Sequence, residues 1–233
     1  MLVSKAKKFL VFSPHPDDVD FGFAGSAAQL TKEGREVIYC IITDGSKGAH
    51  KVELATAAMK NLRMKEQRKA ALEVGVRKVI FLNEKDGEVE NTKKFRKKLV
   101  KVIRDVKPDI IVSPDPANQS FASFYGAHRD HRQTAEAVFD AIYPAAGSKY
   151  YFPELTAKFK PHQIDEAWFW HPKKPNKFIN ISKTMDLKLR ALRAHKSQFE
   201  DFSAVEKKIL EWAHLNGKKG GMKYAESFRR LNF

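Results

Sequence analysis

The sequence predicts an α/β fold: a single-domain, Rossmann-like architecture over residues 1–233, with a mostly parallel sheet and helices on both faces. Three observations predict it. Short apolar runs alternate with longer segments of helical spacing. The runs are rich in Val, Ile and Phe, as strands buried on both faces are. Gly34, Gly75 and Pro108 punctuate the boundaries. A chain of 233 residues is long enough to bury a substantial core as one domain.

In order, Phe9–Ser13 reads as a first buried strand and Gly22–Glu33 as a helix ended by Gly34. Val37–Thr43 is a second strand, Glu53–Glu73 a long helix ended by Gly75, and Lys78–Leu82 a third strand. Thr92–Val106 is a basic amphipathic helix, with Phe95, Leu99, Val102 and Val106 at helical spacing and Pro108 past its end. Asp109–Ser113 is a fourth strand. Strands alternating with helices call for right-handed crossovers and a parallel sheet. Asp115–Ala127 is irregular and rich in Pro, Ser, Gly and aromatics, and a loop of that length is often functional. His131–Ile142 is then helical, and Tyr143–Pro161 a surface excursion. Ile164–Phe169 and Lys177–Ile181 read as late strands. Ser182–His195 is a helix with Ser182 as N-cap, Ala204–Ala213 another, and Gly217–Gly221 a flexible turn.

No run approaches the roughly 20 apolar residues that span a bilayer. Phe9–Phe12 is too short for a signal-peptide core, so a cytoplasmic location is expected. The single cysteine, Cys40, falls inside the second strand and reads as a buried, inert thiol. The net charge of +15 raises the question of nucleic acid, anionic membrane or anionic substrate. The basic residues are spread over several helices, with no basic tail and no aromatic ladder, which favours a solvated surface. No specific nucleic acid is expected.

The chemistry gathers at two strand ends. Pro14-His15-Pro16-Asp17-Asp18 follows the first strand, and Asp115 through His128-Arg129-Asp130-His131 follows the fourth. Such loops can meet above the carboxyl ends of a parallel sheet. Two histidines and a carboxylate make a hydrolytic zinc site, leaving further acids for proton transfer and a histidine for an oxyanion. Taken singly, Pro16-Asp17-Asp18 is also a strand-to-helix turn with an Asp cap, and His128 and His131 are also surface residues at a helix start. Two rival readings remain open: a non-haem iron enzyme using the same ligand types, and a basic nucleic-acid-binding module with a structural metal.

The ordered set of segments resembles the family of zinc-dependent de-N-acetylases. That family includes N-acetylglucosaminyl-phosphatidylinositol de-N-acetylase, the mycothiol and bacillithiol pathway deacetylases and diacetylchitobiose deacetylase. Four segments carry the resemblance. The first is Pro14-His15-Pro16-Asp17-Asp18-Val19-Asp20; the second is Thr43-Asp44-Gly45 with Arg63-x-x-Glu66 and Val74-Gly75-Val76. The third runs from Lys107-Pro108-Asp109 through Pro114-Asp115-Pro116 to His128-x-Asp130-His131. The last is Ala194-His195-Lys196-Ser197-Gln198 with Ala225-Glu226-x-Phe228.

The resemblance implies one Zn2+ per chain on His15, Asp18 and His131. It implies Asp17 as general base, and His128 as a cationic oxyanion stabiliser oriented by Asp130. The acceptor behind a ligand histidine would be Asp20 or Asp115. Arg63, Tyr125 and His195 would bind substrate. By residue type alone Arg63 is equally an exposed partner of Glu66, Tyr125 a packed loop aromatic, and His195 a structural residue. Asp20 and Ser46 stand where relatives usually carry Glu. The implied reaction is hydrolysis of an N-acetyl group from an acetamido-sugar conjugate by a homo-oligomer, trimer or hexamer.

Overall fold

The computed structural model describes residues 7–48, 55–118, 121 and 127–233. Its strands are β1 Lys8–Ser13, β2 Glu36–Thr43, β3 Lys78–Glu84, β4 Ile110–Pro114, β5 Glu166–Trp170, β6 Lys177–Asn180 and β7 Ala225–Asn232. They form one seven-stranded sheet in the order β3-β2-β1-β4-β5-β7-β6. β1 to β5 pair in parallel, and β7 runs antiparallel to both of its neighbours. The α-helices are α1 Asp18–Gly22, α2 Ala24–Lys32, α3 Thr56–Glu73, α4 Lys93–Val106, α5 Arg129–Asp140, α6 Met185–Arg193 and α7 Phe202–Gly220. No helix among the described residues is long and apolar enough to cross a membrane.

The period of two along β1 builds two cores. Phe9 and Val11 face a layer made by α2, α3 and α6, while Leu10 and Phe12 face α4 and α5. All four are fully buried, and each such side chain contributes about 1.5–3 kcal/mol of burial. Cys40 lies in the second of these cores, free, with burial pushing its thiol pKa up. The helix after β1 and the helix after β4 thus leave toward opposite faces. That opens a crevice at the carboxyl ends of β1 and β4, where the strand order reverses.

Several predicted elements are redrawn. The helix expected over Gly22–Glu33 is two helices, α1 and α2, broken at Phe23, whose φ of −143° is not helical. Ser182 does not cap α6; Thr184 occupies that position, and the Ser182 hydroxyl meets Tyr224. The turn expected at Gly217–Gly221 is the last part of α7, which closes on Gly221 at φ 70°. Gly217 is needed inside that helix because an added Cβ would lie 2.5 Å from the Met222 carbonyl oxygen. β7 has no counterpart among the strands read from sequence.

Candidate functional site

The first βα turn is tight and strained. Asp17 has φ 99°, a conformation few non-glycine residues adopt. It is held from several sides. Its N–H donates to Gln67 Oε1 at 2.8 Å. Arg63 Nη2 donates to the Pro16 carbonyl at 2.5 Å and reaches Asp17 Oδ1 at 3.2 Å. Arg63 Nη1 donates to the Gly45 carbonyl at 3.1 Å. Gly45, at φ 63°, leaves room for this: a Cβ there would lie 2.9 Å from Pro16 Cδ and 3.0 Å from Arg63 Nη1.

The turn aims His15 and Asp18 at the start of α5. His15 Nδ1 lies 3.0 Å from Asp18 Oδ2, and His131 Nε2 lies 3.1 Å from the same oxygen. All three residues are buried. Ligand atoms about 2.0–2.1 Å from a tetrahedral zinc sit about 3.3 Å apart, and these two separations are compatible with that spacing. The other face of the His15 ring meets two more carboxylates. Its Nε2 lies 3.0 Å from Asp130 Oδ2 and 3.2 Å from Asp86 Oδ1. Three acids around one imidazole make a site built for a cation, and the residues fit a divalent metal. His15, His128 and His131 form a second donor grouping, and His15, Asp86 and Asp130 a third.

Electrostatics follow the geometry. Burial alone would lower the His15 pKa, but hydrogen bonds to Asp130, Asp18 and Asp86 hold it well above its ordinary value. Burial would raise Asp18, yet the His131 and His15 rings hold it well below the carboxylate range. Asp86, likewise opposed by burial, is brought down to about 2 by His15. Asp17 moves the other way: burial raises it, tempered by Arg63.

His128 is exposed and caps α5, its Nδ1 accepting the Asp130 N–H at 3.2 Å. Burial, then the charges of His15 and His131, lower its pKa. One expectation is corrected. The Asp130 carboxylate does not orient His128; it is taken by His15 and by the amides of Gly87 (2.7 Å) and Val89 (3.1 Å).

The remaining expected residues are placed as follows. Arg63 is buried, and its guanidinium is spent on Pro16, Gly45 and Asp17, neither on Glu66 nor on open space. Glu66 accepts from the N–H and hydroxyl of Ser197. His195 is fully buried beneath the site, with Nε2 2.8 Å from Asp20 Oδ2, so it does not line the cleft. Asp20 also accepts from Gln67 at 3.0 Å. The acceptor behind His15 is thus neither Asp20 nor Asp115, which is bound by Arg229 at 2.6 Å. Tyr125 lies outside the described residues. Sequence reasoning missed Asp86 and Gln67. Asp86-Gly87, an Asp-Gly pair just past the third strand, was the available signal for the former.

Residues 10–142 match the model of the PIG-L, or GlcNAc-PI de-N-acetylase, family. This chain belongs to that de-N-acetylase family. It is 36% identical over 225 residues to the diacetylchitobiose deacetylase of Thermococcus kodakarensis, covering 96% of this chain and 82% of the relative. It is 29% identical over 196 residues to a probable N-acetyl-alpha-D-glucosaminyl L-malate deacetylase 2 of Bacillus subtilis, covering 82% and 83%. The crystal structure of the N,N'-diacetylchitobiose deacetylase of Pyrococcus horikoshii superposes with a TM-score of 0.89 at 33% identity, covering 97% of this chain and 84% of that one. De-N-acetylases of this family are metal-dependent, and the buried histidines and carboxylates around His15 are groups that could hold a metal.

Proposed function

We propose that this de-N-acetylase removes the acetyl group from an N-acetylglucosamine-type substrate, releasing acetate and a free amine. The observation that carries the reading is the convergence of His15 Nδ1 and His131 Nε2 on Asp18 Oδ2, with the strained Asp17 alongside. His15, Asp18 and His131 would hold one zinc ion per chain. Such an ion, when bound, lowers the pKa of a coordinated water to about 7 and polarises a carbonyl. Asp17 takes the proton from the attacking water and returns it to the departing amine; a carboxyl raised by burial is suited to both tasks. With Nδ1 occupied as an acceptor, the neutral His128 ring carries its proton on Nε2 and donates it to the developing oxyanion. Arg63 positions Asp17 and the Pro16 and Gly45 carbonyls. The Asp130 carboxylate holds the His15 ring through Nε2, leaving Nδ1 as the atom that would bind the metal.

Residues 1–233 act as one domain in this reading, in a cytoplasmic homo-oligomer. The single, buried Cys40 supports the location, and the exposed aromatics Tyr143, Tyr150 and Phe233 offer a contact face. Sedimentation velocity measures the oligomer directly. The reaction is tested by metal analysis combined with acetate release from N-acetylglucosamine, N,N'-diacetylchitobiose and glucosaminyl conjugates. About one zinc per chain and release of one acetate per amine are expected. A zinc-loaded protein that releases no acetate from any of them would falsify the reading.

A further inference from the structure

The loops above the sheet lie in strand order, and they give the metal centre two unlike flanks. Beyond β2 and β3 the polar groups are engaged: Asp86 is buried against His15 and accepts the Lys47 N–H, and the Lys47 ammonium pairs with Glu88. Beyond β4 lies the end of β5, about 10 Å from β1 at the usual spacing of neighbouring strands. A cavity of about 30 Å³ sits there beside His131, lined by Pro114, Asp115, Asn118, Arg132, Trp170 and His171. That is room for roughly two water-sized groups, the size of the methyl and carbonyl carbon of an acetyl group. A second cavity of about 120 Å³ lies on the other side of His171, beside Phe21, Ile209, Trp212 and Ala213. His171 is in the wall of both.

We propose that His171 limits the acyl group to acetyl, by closing the small cavity beside His131 and shutting off the larger one beyond. Resting on the deacetylase reading, the assignment adds which flank receives the acyl end and what stops it. His171 directly follows β5 and is held at φ 53°, a left-handed conformation that fixes where the ring projects. Burial, then the nearby Lys188 charge, keeps that ring uncharged, with a pKa of about 4, so the wall it forms is neutral. The polar ends in the second cavity are already engaged. Lys188 Nζ meets Glu226 Oε1 at 2.5 Å and the Phe21 carbonyl at 2.6 Å, and Glu226 accepts from the Gly25 and Ser26 amides. Ser227 and Asn216 hydrogen-bond to each other at 3.1 Å, and Phe21, Ile209, Trp212 and Ala213 supply the apolar part of the lining.

The test is the ratio of kcat/KM for N-butyrylglucosamine to that for N-acetylglucosamine, measured alongside zinc content. The wild type favours acetyl. His171→Gly, which suits the left-handed backbone, joins the two cavities and raises the ratio by about tenfold or more, the worth of one or two methylenes in a fitted pocket. Adding Ala213→Leu to that variant refills the space and brings the ratio back down. His171→Asn, which tolerates the same backbone, gives a smaller rise and serves if the glycine variant does not fold. A metal-replete variant with an unchanged ratio overturns the assignment, as does a wild type that cleaves both amides equally well. A wild type inactive on both sinks the deacetylase reading and this one together; an active wild type with an unchanged variant ratio sinks only the role of His171.

Discussion

Asp17 does its work in a backbone conformation that it would not choose alone, and the neighbours that hold it there are polar and buried. Gln67 grips its N–H, Arg63 its carboxylate, and Asp20 with His195 props Gln67. Asp17→Asn keeps this cradle and the metal donors but cannot accept a proton. Turnover should fall by about a hundredfold to ten-thousandfold, while metal analysis still finds about one ion per chain. Unchanged turnover would remove Asp17 as base. Asp130→Asn acts differently, by loosening the His15 ring. Zinc affinity should drop by about ten- to a hundredfold in competition with a chromophoric chelator. His171 gives a pH signature. Its pKa of about 4 lies below that of an unfolded histidine, so between those values the unfolded chain binds more protons. The stability it contributes is complete above about pH 6.5 and is lost as the pH falls toward 4. Urea midpoints in chelator over that range should flatten in His171→Asn; an unaltered slope would count against this placement. At this scale the sequence was most legible where ligands are contiguous, as in His15 to Asp18 and His128 to His131. Asp86 and Gln67 reach the site only through space, from separate elements, and no local pattern marks them.

Among the elements, α3 shows why a hydrophobic pattern can mislead. Its buried face includes Arg63, Glu66 and Gln67 beside Met59, Ala70 and Ala71. By periodicity such a helix looks exposed, yet its polar side chains form the floor of the site. β7 was hidden for a similar reason. Its Glu226, Arg229 and Arg230 break the alternation of an inner strand, and each is matched by an ion pair, with Lys188, Asp115 and Glu166. The first four strands, with plain apolar runs, stood out. The segment after α5 depends on one buried cation. Arg104 of α4 donates to the carbonyls of Ala145, Ala146, Ser148 and Tyr151 at 2.8–3.1 Å. Arg104→Met should cost about 2–4 kcal/mol in urea denaturation, since buried carbonyls lose charged donors. A loss below about 0.5 kcal/mol, the range of ordinary surface changes, would show that water replaces them.

Over the whole molecule, the sheet is stitched from its latest strand back to its earliest helices. Glu226 of β7 receives the first amides of α2 and the ammonium of Lys188 from α6. Removing one partner of a buried pair leaves the other uncompensated. Glu226→Ala should therefore destabilise the protein by about 3–5 kcal/mol, read from the denaturation midpoint, whereas a similar change at the surface pair Arg129–Glu90 should be within about 1 kcal/mol. Part of the basic surface is paired with acids on several helices, as in Lys97–Glu154 and Arg193–Glu206. Asp130 serves clients of different strands at once: the His15 ring after β1, and the Gly87 and Val89 amides after β3. With the proposed metal on His15, its occupancy and the closure of the β3 loop would be linked quantities, each biasing the other by the same free energy. Those two amide protons become reporters of the ion, exchanging with deuterium slowly in the loaded protein and faster once it is stripped.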